Sequence, residues 1–352
     1  MPTLMRDEIL AILERHHAEA DFSGVCLVKQ GDAEIVHQAY GLAHRGFEAP
    51  NTVQTRFDIA SVTKIFTAAA IMQLVEAGKV ALDTPVMPYL GIEGTKISDV
   101  VTVFHCLTHT SGIGDDADEE AGEDYELLFV DKPNYSIRET RDFLPQFVHK
   151  EPNFAPGEGA RYNNVAFVLL GLVIEQATSL TYHDYVREHI FQRAGMTGAD
   201  FCAMDGVCAN FAEHYKKIEH DDGTVEWRKN IYSYPPIGSP DGGATTTALD
   251  LDRFVRAVKG GLLMGEDASR QLLSPHLKVK EIDAGTMWNG FAFEFTLDTE
   301  GKIRWFGKEG NNAGVSSNCE YFPATDTTVV LLANQDCDVW AIQRELDPLV
   351  VR

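Results

Sequence analysis

Apolar residues keep a strand-like alternation near both ends of the chain and a helical spacing between them. A short charged helix is expected over 5–19, with Leu10, Ile12 and Leu13 among its apolar positions. FSGVCLVKQ and AEIVHQAYGLA, within 22–43, then meet at Gly31-Asp32, the pattern of a hairpin. SVTKIFTAAAIMQLVEA, over 61–77, is apolar on most sides, which predicts a buried helix stopped at Gly78. VVTVFHCLTHTSG and NNVAFVLLGLVIEQATS are the clearest helical stretches of the middle, and ALDLDRFVRAVKGG predicts another, starting near Asp250. WNGFAFEFTLD, KIRWFG, AGVSSNCEYFP and TTVVLLANQ alternate around turns at Thr299–Gly301 and Ala324–Asp326, an antiparallel meander. DVWAIQRELDPLV closes the chain as a helix. The economical architecture is α/β (α+β): an antiparallel sheet flanked by helices, built from residues 1–83 and 241–352, with a helical insert over 84–240. No internal repeat is visible.

Composition narrows the function classes. The 352 residues are 44% hydrophobic and 24% charged, which suits a globular protein with a large core. Thirty Lys and Arg against 53 Asp and Glu leave a net charge of −23, which disfavours nucleic acid and anionic membrane as partners. The N-terminus breaks its apolar residues with Asp7, Glu8, Glu14 and Arg15, and no run approaches a membrane span, so a cytoplasmic location is expected. Six scattered cysteines fit reduced, mostly buried thiols; Cys202 and Cys208 are the one close pair and match no zinc motif. The acidic stretch 115–126 lacks calcium-loop spacing and reads as a solvated loop.

Three local patterns carry candidate chemistry. Ser61 and Lys64 stand three apart on a predicted helix face, where a lysine depressed by burial can take the hydroxyl proton. Alone, the spacing also suits a capping serine and a surface lysine. Tyr162 and Asn164 project to one side of an extended segment; a phenol perturbed by cations could relay a proton, while Asn164 alone reads as the cap of the next helix. Lys308-Glu309-Gly310 offers a positive charge and a close backbone approach, and the Asn311 amide could join that of Ser61 against an oxyanion. His105 and His109 have zinc-like spacing but no completing carboxylate, and no serine satisfies G-x-S-x-G. Trp288, Trp305, Phe291, Phe293 and Tyr321 read first as sheet packing.

Together and in this order, these patterns resemble the serine β-lactamase and penicillin-binding-protein superfamily, nearest its class C β-lactamase-like branch of esterases, D-aminopeptidases and D-alanyl-D-alanine carboxypeptidases. RFDIASVTKIFTAAAIMQLVEAGKVALDTPV is similar to its nucleophile helix, HCLTHTSGI to its H-L-L-T-H-T-S-G-L signature, and PGEGARYNNVAFVLLGLVIEQATS to its tyrosine loop. GMTGADF, PDGGATTTALDLDRF and the run from Trp288 to Asn334 follow in order, so the likeness spans roughly 20–335. The resemblance implies a cleft between sheet and helical regions. It implies Ser61 as acylated nucleophile, Lys64 and Tyr162 sharing acid–base work, and Asn164 orienting substrate. Lys308 would be the basic residue of the third motif, and the Ser61 and Asn311 amides the oxyanion hole. Acyl transfer of this kind, on a small-molecule or peptide substrate, implies no metal or organic cofactor.

One departure bears on substrate. Glu309 stands where enzymes that bind a substrate carboxylate usually carry Thr or Ser. Facing the cleft, it would repel such a carboxylate and favour neutral esters or free amines, whereas Lys308 argues the other way, since many esterase relatives have His there. Two function classes follow: a serine hydrolase acting through Ser61 on esters, D-amino-acid peptides or β-lactams, and a catalytically idle relative that binds peptides or scaffolds an assembly.

Overall fold

The computed structural model describes residues 2–283 and 285–351; Met1, Ala284 and Arg352 lie outside them. Helix α1 (Pro2–Glu19) leads into strands β1 (Gly24–Gln30) and β2 (Ala33–Tyr40), which pair as a hairpin through a turn where Gly31 has φ +54°. Helix α2 (Lys64–Glu76) follows, then α3 (Val165–Thr178) and α4 (Ala248–Lys259). Six more strands come next: β3 (Leu277–Ile282), β4 (Gly285–Asn289), β5 (Glu294–Leu297), β6 (Ile303–Asn312), β7 (Val315–Phe322) and β8 (Thr327–Ala333). Helix α5 (Val339–Val350) ends the chain.

These eight strands form one antiparallel sheet in the order β2-β1-β8-β7-β6-β5-β4-β3. The first strand and the last are therefore neighbours, with Gly24 opposite Ala333. The central strands are apolar on both faces because both are covered. Cys26, Val28, Val329 and Leu331 pack against Ile9 and Leu13 of α1 and Ile342 and Leu346 of α5. Val25, Leu27, Val330, Leu332 and Phe306 face the larger core that contains α2, α3 and α4. Helix α2 is wrapped on every side: Phe66 meets Phe191 and Phe254 edge-on, with ring centroids 5.1 and 4.8 Å apart. That environment explains why its sequence has no polar face.

Several local expectations change. The stretch 100–112 is helical only over Val103–Leu107, because His109 turns left-handed at φ +59° and breaks the spiral. WNGFAFEFTLD is the end of one strand and all of the next, divided by a turn in which Ala292 has φ +65°. Strand β3 was not anticipated, since its positions 278–281 are exposed and mostly charged. The expected all-helical insert over 84–240 is not all helical: Tyr215–Glu219 and Val225–Lys229 pair within it as a separate antiparallel hairpin, with Gly223 left-handed at its turn. Cys202 and Cys208 are not reduced thiols: the loop brings their Cα atoms to 6.1 Å and they form a disulfide, while Cys26, Cys106, Cys319 and Cys337 are free. The acidic stretch is not wholly solvated either, because Asp115 and Asp116 are buried at its start.

Phe66→Ala should lower the unfolding free energy by about 3–5 kcal/mol, through lost burial and a residual void. Urea denaturation would show this as a lower midpoint at unchanged slope.

Candidate active site

Ser61 sits in a tight turn, Ala60–Thr63, that runs directly into α2. The first turn of a helix has amides without intrahelical partners, which leaves the Ser61 N–H free to meet a ligand. The preceding Ala60 is held left-handed at φ +42°, a conformation that disfavours a residue with a Cβ. Its surroundings enforce it. The Ala60 amide donates to Asp58 Oδ1 at 2.7 Å, and its carbonyl accepts from the Gly243 amide at 3.3 Å. The Ile59 amide donates to the Ala244 carbonyl at 3.0 Å, and the Ala244 amide to Thr63 Oγ1 at 2.9 Å. The segment PDGGATT thus clamps the serine turn from one side. On the other, Ser317 Oγ of β7 donates to the Ile59 carbonyl at 2.8 Å.

One helical step on, the Lys64 amine is fully buried. It donates to Ser61 Oγ at 3.1 Å, to Asn164 Oδ1 at 2.7 Å and to the Asp241 carbonyl at 2.5 Å. Burial lowers its pKa to about 8; the charges of Asp241, Glu119 and Asp115 oppose the fall, and that of Lys308 adds to it. A tenth or so of such an amine is unprotonated near neutrality, far more than for a lysine in water.

Tyr162 donates from its hydroxyl to Ser61 Oγ at 2.7 Å. Its loop is strapped to the HTSG turn: the Arg161 amide donates to the His109 carbonyl at 3.0 Å and the Asn163 amide to His109 Nδ1 at 3.2 Å. The His109 ring lies 4.7 Å from that of Tyr162, and burial holds it neutral. His105 closes a reciprocal cap with Thr102 at the start of its short helix. The cations expected to perturb the phenol are present, with Lys64 and Lys308 amines 5.0 and 4.9 Å from its ring centroid. They do not prevail. Burial, followed by the charge of Glu119, pushes Tyr162 well above the ordinary phenol range, so it remains a proton donor.

Asn164 does not cap the next helix with its side chain. Asn163 Oδ1 accepts from the Ala166 amide at 2.7 Å, and the Asp115 carboxylate accepts from the amides of Asn164 and Val165 at 2.8 and 3.1 Å. With the cap supplied, the Asn164 amide group bridges Lys64 and Glu119, whose Oε1 accepts from Nδ2 at 2.8 Å.

Strand β6 brings the third pattern beside the serine. From Lys308 to Asn312 it pairs only with β7, because its ladder with β5 ends at Gly307. That leaves a free backbone edge along the cleft. Gly310 lies so close that a Cβ there would fall 2.3 Å from the Ile59 carbonyl and 2.9 Å from the Ser61 amide. Lys308 is buried and ion-paired to Glu294 at the start of β5. Glu309 is not a hydrogen-bond partner of Ser61 or Lys64, but it lines a cavity that opens on Ser61. Burial, followed by the charge of Glu294, raises its pKa, while Lys308 and the Trp340 side chain of α5 oppose the rise.

Two cavities of about 530 and 320 Å³ open on Ser61 and share Glu119 and Asn311 in their walls. Sequence reasoning missed Glu119, Asp241, Asp115 and Glu294. Asp241 acts through its backbone, which no side-chain pattern signals. The other three act through pairings known only once loops and strands are in register.

The Beta-lactamase family matches residues 5–345 of the chain. A penicillin-binding protein of Bacillus subtilis (strain 168) is 29% identical over 353 residues, covering 95% of this chain and 72% of that one. Esterase EstB of Burkholderia gladioli is 32% identical over 204 residues, 55% of this chain and 51% of its own. Among solved structures, a penicillin-binding protein from Bacillus halodurans superposes with a TM-score of 0.89 at 37% identity, over 97% of this chain and 99% of that one. With the antiparallel sheet, the serine turn and the three patterns gathered at one cleft, the chain, similar to these two penicillin-binding proteins and this esterase, belongs to the Beta-lactamase family.

Proposed function

We propose that the protein is a serine hydrolase that cleaves ester or amide bonds through an acyl-enzyme on Ser61. The observation that carries this reading is the double hydrogen bond at one hydroxyl: Ser61 Oγ receives both the Lys64 amine, at 3.1 Å, and the Tyr162 phenol, at 2.7 Å. The first group has a depressed pKa and the second a raised one, the separation that assigns a base and an acid.

When Lys64 is unprotonated, its bond to the serine reverses and the Oγ–H donates to Nζ. Lys64 takes that proton as Oγ attacks the substrate carbonyl carbon. Negative charge gathers on the carbonyl oxygen, between the amides of Ser61 and Asn311. The tetrahedral adduct collapses by breaking the bond to the leaving group, which takes its proton from Tyr162. Tyr162 recovers one from the Lys64 ammonium. Water then attacks the ester carbonyl with Lys64 taking its proton; the bond from the carbonyl carbon to Oγ breaks, the Lys64 ammonium returns the proton to Oγ, and the free acid leaves. Asn164 holds Lys64 in line, and burial, with the charge of Lys308 adding to it, keeps the Lys64 pKa low.

Incubation with a fluorophosphonate should add one equivalent to the intact mass, and Ser61→Ala should abolish it. A folded protein that gains no adduct from any acylating probe overturns the proposal in favour of a binding role.

Because the base form of Lys64 is the active one, turnover of p-nitrophenyl esters should rise with pH along a limb centred near 8. Lys64→Ala should cost about 10²–10⁴-fold in kcat/KM and erase that limb. Tyr162→Phe should slow amides, which need a protonated leaving group, more than p-nitrophenyl esters, by about 10²-fold in kcat for amides. Steady-state kinetics on a matched ester and amide measures the difference.

A further inference from the structure

Every cation that lines the two cavities, among the described residues, is already engaged by a carboxylate or by the reaction machinery. Arg161 forks onto Asp118 with bonds of 2.7, 2.9 and 3.1 Å and lies 3.8 Å from Glu120. Lys216 is paired with Glu126. Lys308, the remaining cation beside Tyr162, is paired with Glu294. The carboxylates are not balanced in return: Glu119, Glu123, Asp124, Asp241 and Asp336 all line the larger cavity.

We propose that Glu294 sets the charge of the substrate: by holding the Lys308 ammonium it leaves no free cation beside Ser61, so the enzyme selects acyl compounds without a carboxylate next to the scissile bond. This rests on the acyl-transfer reading above. The pairing is well sheltered. The Lys308 side chain is 4% exposed and that of Glu294 25%. An incoming carboxylate must therefore displace Glu294 into a cleft already rich in negative charge, or crowd against it. The position of Glu294 makes the arrangement specific to this register. It stands opposite Gly307, the last residue of the β5–β6 ladder, and reaches Lys308 around the edge left open beyond it. Glu309, the acidic residue that the sequence singles out, lines the same cavity but is not the carboxylate ion-paired to Lys308. Selection against carboxylates falls to a residue on the neighbouring strand.

The test compares one cephalosporin, nitrocefin, with its methyl ester, so that only the carboxylate differs. Wild-type protein should turn over the ester with kcat/KM about tenfold above the free acid. Glu294→Gln should raise kcat/KM for the free acid, relative to the ester, by about tenfold or more, and addition of Lys308→Gln to that variant should remove the gain. Equal treatment of acid and ester by the wild type, an unchanged ratio in an E294Q protein that still takes a fluorophosphonate on Ser61, or a gain that survives in the double variant would each overturn it. A wild type that takes no adduct on Ser61 instead removes the acyl-transfer reading beneath it.

Discussion

A primary amine kept out of water is the constraint around which this molecule is arranged. An ammonium in a protein interior is costly, and the depression of Lys64 from 10.5 to about 8 corresponds to about 3 kcal/mol disfavouring its charged form. The cost is contained because the amine has three oxygen acceptors and lies near several carboxylates. Fewer partners would drive the group to neutrality and loosen its hold on Asn164; more charge would keep it permanently protonated. The Lys64 amine lies between these limits.

Meeting that constraint takes residues from widely separated parts of the chain. Ser61 and Lys64 come from the start of α2, Asn164 from the entry to α3, the Asp241 carbonyl from the clamp before α4, and Lys308 from β6. Helix α2 can bury a lysine at its first turn because the helix is enclosed from there to Leu74. The left-handed Ala60 then aims the serine at the cleft and away from the core, a conformation held by Asp58, Gly243 and their neighbours. Further out, the Lys308–Glu294 ion pair sits on the free edge of the sheet.

Much of this was legible in the sequence, and the division is physical. Local periodicity marked the hairpin, α2, α3, α4, β7, β8 and α5, since each is fixed by which positions face a core. Ser61, Lys64, Tyr162, Asn164 and Lys308 stood out because their chemistry is tied to short spacings. Side-chain direction and partnership were not accessible. Glu309 lines a cavity beside Ser61, but spacing alone does not show that Lys308 pairs with Glu294, because that depends on the register of β5 against β6. Glu294 went unnoticed within FAFEFTLD for the same reason. Asn164 looked like a cap until Asn163 and Asp115 proved to do that work. The Cys202–Cys208 bond depends on a loop path that spacing alone leaves open.

The pairing of β1 with β8 has a consequence for biosynthesis. Gln30 must wait for Thr327, and Gly24 for Ala333, so the N-terminal hairpin emerges from the ribosome about 300 residues before its partner strand. At roughly 5–20 residues per second, that interval is about 15–60 s. Throughout it, one edge of GVCLVKQ presents unpaired amides and carbonyls beside an apolar surface, the arrangement most prone to join a neighbouring nascent chain. A chain whose first strand is completed by its last must keep that edge from mispairing until synthesis is nearly finished.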